Sequence, residues 1–298
     1  MSTSLSAQSA GDTVSPLTAR KTWRSVEPIH TLIYFAPEAA KAYAALGIEA
    51  QAGYFASRSA PMGAVGAEAV IATFYNFEPR IVRSVIPAAW KSASPAEVVA
   101  ARLEAADAAL RRLLGDSVSS TELARAAELA RAAAERAAER LVGRPLFAGH
   151  AGLAWPEAPH LVLWHAQSCL REFRGDGHIA VLVTAEIGPV EALVTHVASG
   201  EMPIEFLRRS RGWSDDEWEA GVDRLRTRGW LEPGETLALS PAGLSIRQRL
   251  EDETDRLATF PYEAIGEAGC SELRSLSRPF SRIVVERGLN DKLRSGIL

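Results

Sequence analysis

Residues 203–239 read PIEFLRRSRGWSDDEWEAGVDRLRTRGWLEPGETLAL, and this stretch decides the fold. It predicts a short helix over Pro203–Arg209, a tight turn at Arg211–Trp213, a helix over Asp215–Arg228 and a Gly-centred hairpin over residues 229–239. Helix, turn, helix and a small two-stranded wing is the order of a winged helix-turn-helix. We therefore predict a mainly α protein in which this unit carries a small β-hairpin wing.

The chain just before this stretch predicts two apolar helices. Leu161–Phe173 is the first, and the second begins at Ile179. Between them lies a Gly-rich segment, RGDGH at residues 174–178, which predicts a sharp break. We expect polar side chains in this break to fix the angle between the two helices.

Length and composition predict the domain organisation. A chain of 298 residues is long enough for two domains of ~150 residues each. We predict a disordered tail at 1–18, an N-terminal helical domain at 19–143, a C-terminal winged-helix domain at 144–288 and a second tail at 289–298. No apolar run reaches the ~20 residues of a membrane span, so we predict a cytoplasmic protein with no membrane partner.

The two halves of the chain show a faint internal repeat. Phe55 and Phe147 each precede a Pro-containing loop and an apolar helix, and Ser94 and Ser214 each follow a tryptophan and begin an acidic helical turn. This pattern predicts two related helical halves, although helical proteins also produce such matches by chance. A crevice between the halves would be the natural ligand site.

The polar residues of the apolar helices predict that site. Each one alone is more commonly a hydrogen-bonded core residue than a ligand contact. Together they are typical of a pocket with apolar walls and a few polar contacts, in which an arginine would bind a carboxylate or another anion. The candidate ligand-binding residues are Tyr54, Arg58, Tyr75, Asn76, His165 and Arg171, and His30 and His178 form a further candidate histidine site.

The charges of the helix-turn-helix weaken the alternative that it binds DNA. The second helix of such a motif enters the major groove with its N-terminal residues. Here that end carries Asp215, Asp216 and Glu217, which would repel phosphates. The net charge of the chain is −4. If DNA is bound, the candidate contacts are Arg208, Arg209, Arg211, Arg224 and Arg226.

Enzyme, metal and cofactor signals are absent from the sequence. It has no phosphate-binding loop, dinucleotide fingerprint or nucleophile elbow, and its six histidines and two cysteines lack metal-ligand spacing. We therefore predict no metal and no cofactor. The Ala/Arg/Glu-rich helix over residues 120–142 predicts a solvated surface, with a homodimer contact as the alternative.

Several motifs resemble a known family. They are YFAPE at 34–38, GYFASRSAPMG at 53–63, TFYNF at 73–77, and LVLW at 161–164 leading to LREFRGDGH at 170–178. This string resembles an actinobacterial group of helix-turn-helix-like proteins often labelled SalK, over residues 22–285. The winged-helix half is more loosely similar to MarR-type regulators and differs from them in its acidic second helix. The resemblance implies the fold and supplies no catalytic residues.

Three functional hypotheses follow from the sequence. The first is a winged-helix protein of regulatory or sequestering type that holds a small molecule between its halves. The second is a MarR-like transcriptional regulator that binds DNA. The third is an enzyme with an unfamiliar site, which would need a water-excluding pocket around His30 or His165.

Overall fold

A computed structural model describes residues 13–289 of the chain, and every regular element in that range is helical. Three short 3₁₀ segments connect helices at Leu32–Tyr34, Ala60–Met62 and Phe260–Ala264, and a fourth covers Gly115–Ser119. The α-helices are α1 Pro16–Thr31, α2 Pro37–Ala45, α3 Ala50–Ser59, α4 Ala67–Phe74, α5 Pro79–Val85, α6 Ala89–Ser92, α7 Pro95–Leu114, α8 Thr121–Ala137, α9 Pro145–Ala151, α10 Pro159–Thr184, α11 Pro189–Ala198, α12 Ile204–Arg211, α13 Asp215–Thr227, α14 Pro241–Leu257 and α15 Gly266–Gly288.

Serine caps begin several of these helices. Ser94 and Ser214 each accept the backbone N–H of a glutamate three residues later, and that glutamate binds back to the serine N–H. These are complete capping boxes, each of which satisfies two helix-terminal donors. Both predicted serine N-caps are confirmed. Helix α1 begins at Pro16 behind the cap Ser15, within the predicted tail, and residues 1–12 and 290–298 lie outside the described residues.

The main hydrophobic core surrounds α10. This helix packs against α1, α7, α8, α9 and α14, and α15 closes the far side of the core against α1 and α8. Phe147 and Phe173 are buried with their rings edge to face at 5.0 Å between centroids. Side chains from both sides of residue 144 contribute to this core. The division into domains 19–143 and 144–288 stays a prediction.

Helix α10 is continuous, so the predicted break at residues 174–178 is wrong. Gly177 permits close packing instead of ending the helix. A Cβ atom on Gly177 would lie 2.8 Å from Nη1 of Arg144. Arg144 in turn donates to the backbone carbonyl of Phe173, and Asp176 accepts the backbone N–H of Phe147 at 2.9 Å. These tertiary contacts outweigh the cost of about 1 kcal/mol for each glycine in a helix.

A second, smaller core belongs to the helix-turn-helix. It is formed by α11, α12 and α13 around the buried Trp218, and α13 packs directly on α11. The predicted β-hairpin wing is wrong, because no strand occurs in residues 13–289. Leu231 and Leu239 form only an isolated antiparallel bridge. Pro233 and Gly234 lie in bends between them, which stops the pairing after one residue pair.

The turn of the helix-turn-helix packs against α5 and against the residues just before it. Trp213 donates its indole N–H to the carbonyl of Asn76 at 3.0 Å, and Glu78 N–H donates to the carbonyl of Arg211 at 2.9 Å. Gly212 has φ +77°, and a Cβ there would lie 1.7 Å from Cδ1 of Ile81. Glycine is therefore required at this turn both by its conformation and by the close approach.

In residues 13–289 no single helix has the length and composition needed to cross a membrane. The pair α10 and α11 passes that test together but is bent by 103°. Most of α10 is buried in the protein core, which accounts for its apolar composition.

Candidate functional site

A cavity of about 900 Å³ separates the main core from the helix-turn-helix. Helices α1, α3 and α10 form one side, and α12, α14 and residues 196–202 form the other. Eight arginines but only four carboxylates line it, so its surface has an excess of positive charge. The charged residues are Arg20, Arg24, Arg58, Arg171, Arg174, Arg209, Arg211, Arg247, Glu27, Glu172, Glu201 and Glu251, and aromatic walls come from Trp23, Tyr34, Phe35, Tyr54, Phe55, Phe77 and Phe206.

A buried ion pair forms the floor near α3. Arg58 makes a bidentate contact with Glu172, with Nη2 to Oε2 at 2.8 Å and Nε to Oε1 at 3.2 Å. Its Nη1 donates to the hydroxyl of Tyr54 at 2.8 Å, and its Cζ lies 4.4 Å from the ring centre of Phe74. Burial alone would raise the pKa of Glu172, but the positive charge of Arg58 holds that pKa far below its usual range. The pair is therefore fully charged and mutually satisfied.

A hydrogen-bonded chain lies behind Tyr34. His30 is buried, with Nε2 2.8 Å from the hydroxyl of Tyr34 and Nδ1 2.7 Å from Oγ of Ser168. Ser168 Oγ also donates to the carbonyl of Trp164 at 2.9 Å. Burial, reinforced by the nearby Arg102, lowers the pKa of His30 well below its usual value, so the ring is neutral.

Arg171 and Arg211 approach the same part of the cavity from opposite sides. Arg171 forms an ion pair with Glu27, whereas no carboxylate pairs with Arg211 among residues 13–289. Arg211 donates to Oγ of Ser210 at 2.9 Å, its Nε is buried without a partner, and its Cζ lies 4.4 Å from the ring centre of Phe77. Burial lowers its pKa, yet a guanidinium keeps its proton. Arg211 is thus a charged group without a counter-ion.

The opposite end of the cavity is a dense ion-pair network. Arg174 contacts Glu251 at 3.1 Å and Asp255 at 2.7 Å, and Arg247 contacts Glu251 at 3.1 Å. Nδ1 of His178 lies 2.9 Å from Oγ1 of Thr254, and burial lowers the pKa of His178 to about 4. The charges at this end are paired with one another, in contrast to Arg211.

Three of the six predicted ligand residues line this cavity: Tyr54, Arg58 and Arg171. His178 also lines it, and His30 lies one hydrogen bond behind it. The structure thus brings these sequence-predicted polar residues together at one cavity. Their role in ligand binding stays a proposal.

The other three predicted residues lie elsewhere. The Tyr75 hydroxyl donates to the carbonyl of Ile187 and links the end of α4 to the segment between α10 and α11. Asn76 contacts the turn through its backbone carbonyl. His165 is buried edge to face against Trp155 at 4.8 Å, with burial lowering its pKa to about 4.

The five arginines suggested for DNA contact lie in different surroundings. Arg209 and Arg211 line the cavity. Arg208 pairs with Asp215 and Glu219 at 3.0 and 3.1 Å. Arg224 pairs with a carboxylate of α11, and Arg226 donates to the Gly234 carbonyl at 2.7 Å.

Sequence reasoning missed two elements of the site. Glu172, the partner of Arg58, was not identified, although a glutamate next to an arginine within the apolar stretch 169–173 is an unusual pattern. The sequence predicts Arg211 only as a DNA contact, because its position at the turn of the helix-turn-helix does not indicate that its side chain lines the cavity. In residues 13–289 no three His, Cys, Asp or Glu side chains come together as a metal site.

Comparison with known proteins identifies the family. A model described as "Helix-turn-helix family" matches residues 19–291. Because this match covers most of the chain, the protein belongs to that helix-turn-helix family. Neither the curated proteins nor the solved structures contain a match to this chain.

Proposed function

We propose that this helix-turn-helix family protein binds a small organic anion in the cavity between its two cores, in a regulatory or sequestering role. The single observation that carries the proposal is Arg211, a half-buried arginine at the edge of an aromatic-walled cavity, whose Nε is buried without a partner and which pairs with no carboxylate among residues 13–289. A buried charge costs free energy unless it is paired. A carboxylate or phosphate of a ligand would provide the missing partner.

The size and the walls of the cavity suggest an aromatic or largely apolar acid. About 900 Å³ is in the range of sites for drug-sized molecules, which are mainly apolar with a few polar contacts. Tyr34, Tyr54 and Phe77 form one continuous wall, with ring centroids 5.2 Å apart for the two tyrosines and 5.5 Å for Tyr54 and Phe77. Such a wall provides stacking surfaces for a planar ligand.

A binding experiment tests the proposal. Phenylacetate, benzoate and phenyl phosphate are screened by thermal shift, and calorimetry gives Kd for those that stabilise the protein. We expect Arg211→Met to weaken binding at least about tenfold, since a hydrogen bond to a charged group contributes about 1.5–3 kcal/mol. Arg226→Met is the matched control, because Arg226 lies on α13 and donates to a backbone carbonyl outside the cavity. The proposal fails if no anion stabilises the protein or if R211M binds as tightly as the wild type.

The exposed charges of α13 argue against DNA binding as the main function. The side chains of Asp215, Glu219 and Asp223 are 86%, 60% and 73% exposed, and they lie on the helix that would have to enter the groove. Glu217 at the same end is tethered to Arg80 at 3.3 Å. A mobility shift with the protein's own promoter region at low salt tests this alternative, and a retained complex there would favour the MarR-like regulator.

The proposed internal duplication receives support from two matching features. Each capping box follows a tryptophan, and both indoles donate to backbone carbonyls: Trp90 to Val65 at 2.9 Å and Trp213 to Asn76 at 3.0 Å. Kinship with the SalK-labelled group or with MarR-type proteins remains a proposal that rests on the sequence resemblance.

A further inference from the structure

We infer that the cavity favours hydroxy acids over the corresponding acids without a hydroxyl group, because Tyr34 offers its ligand only a hydrogen-bond acceptor while Tyr54 offers a donor. This inference rests on the proposed function, since it specifies which acid the same cavity selects. Its basis is the direction of the protons in two separate sets of hydrogen bonds.

The chain behind Tyr34 has one consistent proton assignment. Three contacts must each carry a proton: Ser168 Oγ to the Trp164 carbonyl at 2.9 Å, His30 Nδ1 to Ser168 Oγ at 2.7 Å, and Tyr34 to His30 Nε2 at 2.8 Å. The Trp164 carbonyl can only accept, so the serine proton goes there. Nδ1–H then donates to Ser168, and Nε2 has no proton and accepts from Tyr34. The opposite direction would leave two oxygen atoms 2.9 Å apart with no proton between them.

This assignment fixes what Tyr34 can offer to the cavity. Its only proton is held by His30, which burial keeps neutral. The lone pairs of its oxygen remain for a donor. A carboxylate has no proton to donate, so it gains nothing from Tyr34, whereas a ligand hydroxyl can donate to it.

Tyr54 has the opposite role, because it can act as a hydrogen-bond donor to the ligand. Arg58 donates to its oxygen at 2.8 Å, and none of the residues described by the structure accepts the Tyr54 proton. Tyr54 can therefore donate to a carboxylate oxygen of a ligand. Both tyrosines line the cavity and their ring centroids lie 5.2 Å apart, which is within the span of one small aromatic acid.

A matched set of acids tests the inference by calorimetry. Phenylacetate is compared with mandelate and with 2-, 3- and 4-hydroxyphenylacetate, which differ from it by one hydroxyl group. We expect at least one hydroxylated acid to bind about fivefold tighter than phenylacetate, as one additional neutral hydrogen bond would give. If all five acids bind equally, the inference is wrong and the proposed function stands. If none binds and none of the other anions stabilises the protein, both fail.

Two variants distinguish the role of Tyr34 from that of Tyr54. Tyr34→Phe removes the acceptor, so we expect the preference for the hydroxy acid to disappear while phenylacetate binds as before. Tyr54→Phe removes the donor, so we expect both acids to bind about fivefold or more weakly, with their ratio unchanged. A tyrosine that served only to fill space would not produce this split. Equal weakening of both acids by Y34F would overturn the inference.

Discussion

Replacing Arg211 by methionine should leave the ligand-free protein almost as stable as the wild type. Methionine retains the apolar stem that packs on Phe77. It removes a buried, unpartnered Nε, which relieves about 1–3 kcal/mol of unfavourable desolvation. It also removes the cation–π contact with Phe77, worth about 0.5–2 kcal/mol, and the hydrogen bond to Ser210, worth about 1 kcal/mol. These contributions cancel to within about 1 kcal/mol.

Arg58→Met gives the matched contrast. Arg58 fills a similar aromatic environment but pairs with Glu172, whose side chain is 3% exposed. Removing it leaves a buried carboxylate without its counter-charge, which costs about 3–5 kcal/mol.

Urea denaturation at pH 7, followed by circular dichroism, gives the free energy of unfolding of both variants. We expect R58M to be strongly destabilised and R211M to differ from the wild type by less than about 1 kcal/mol. A loss of 2 kcal/mol or more in R211M would mean that the fold itself needs this guanidinium. Arg211 would then be a structural residue and not a group that awaits a ligand.

Three further predictions concern the fold around the cavity. Burial raises the pKa of Asp176 to about 7, so the folded carboxyl keeps its proton up to that pH while the unfolded one loses it near 4. The free energy of unfolding of the wild type should therefore fall, relative to that of Asp176→Asn, by about 3 kcal/mol between pH 4.5 and pH 8 in urea denaturation. A constant difference between the two proteins would contradict this. Gly212→Ala should cost about 2 kcal/mol or more by thermal denaturation, because of its positive φ and the clash with Ile81, and Ile81→Ala in the same chain should recover part of that loss. Ser214→Ala should cost about 1 kcal/mol through loss of the cap, and an unchanged melting temperature would show that the cap is redundant.

Local chemistry made part of this structure predictable. Ser94 and Ser214 are recognisable as caps because the serine and the glutamate three residues later act on the adjacent backbone alone. Tyr54, Arg58 and Arg171 stand out because polar side chains in apolar helices must find partners or a cavity. These inferences need only residues close in sequence.

The errors arose where distant contacts decide the structure. Gly177 is compatible with a helix break or with close packing, and only the approach of Arg144, about thirty residues earlier, selects packing. Tyr75 and His165 lie outside the cavity, and their partners Ile187 and Trp155 could not be inferred from the adjacent sequence. Glu172 can be recognised as part of the site only from its ion pair with Arg58, which is 114 residues away in sequence.

The position of Arg211 also makes DNA contact and ligand binding incompatible through this residue. Its backbone carbonyl accepts from Glu78, the adjacent Gly212 lies against Ile81, and Trp213 is hydrogen-bonded to Asn76. For its guanidinium to reach a phosphate of DNA, Arg211 would have to leave its position over the Phe77 ring, at the edge of the cavity. A ligand anion bound to Arg211 would stabilise this position of the side chain, because a ligand favours the state that holds its contacts. Any DNA binding by this chain that uses Arg211 would therefore be weakened by the ligand, and the two activities would compete for one side chain.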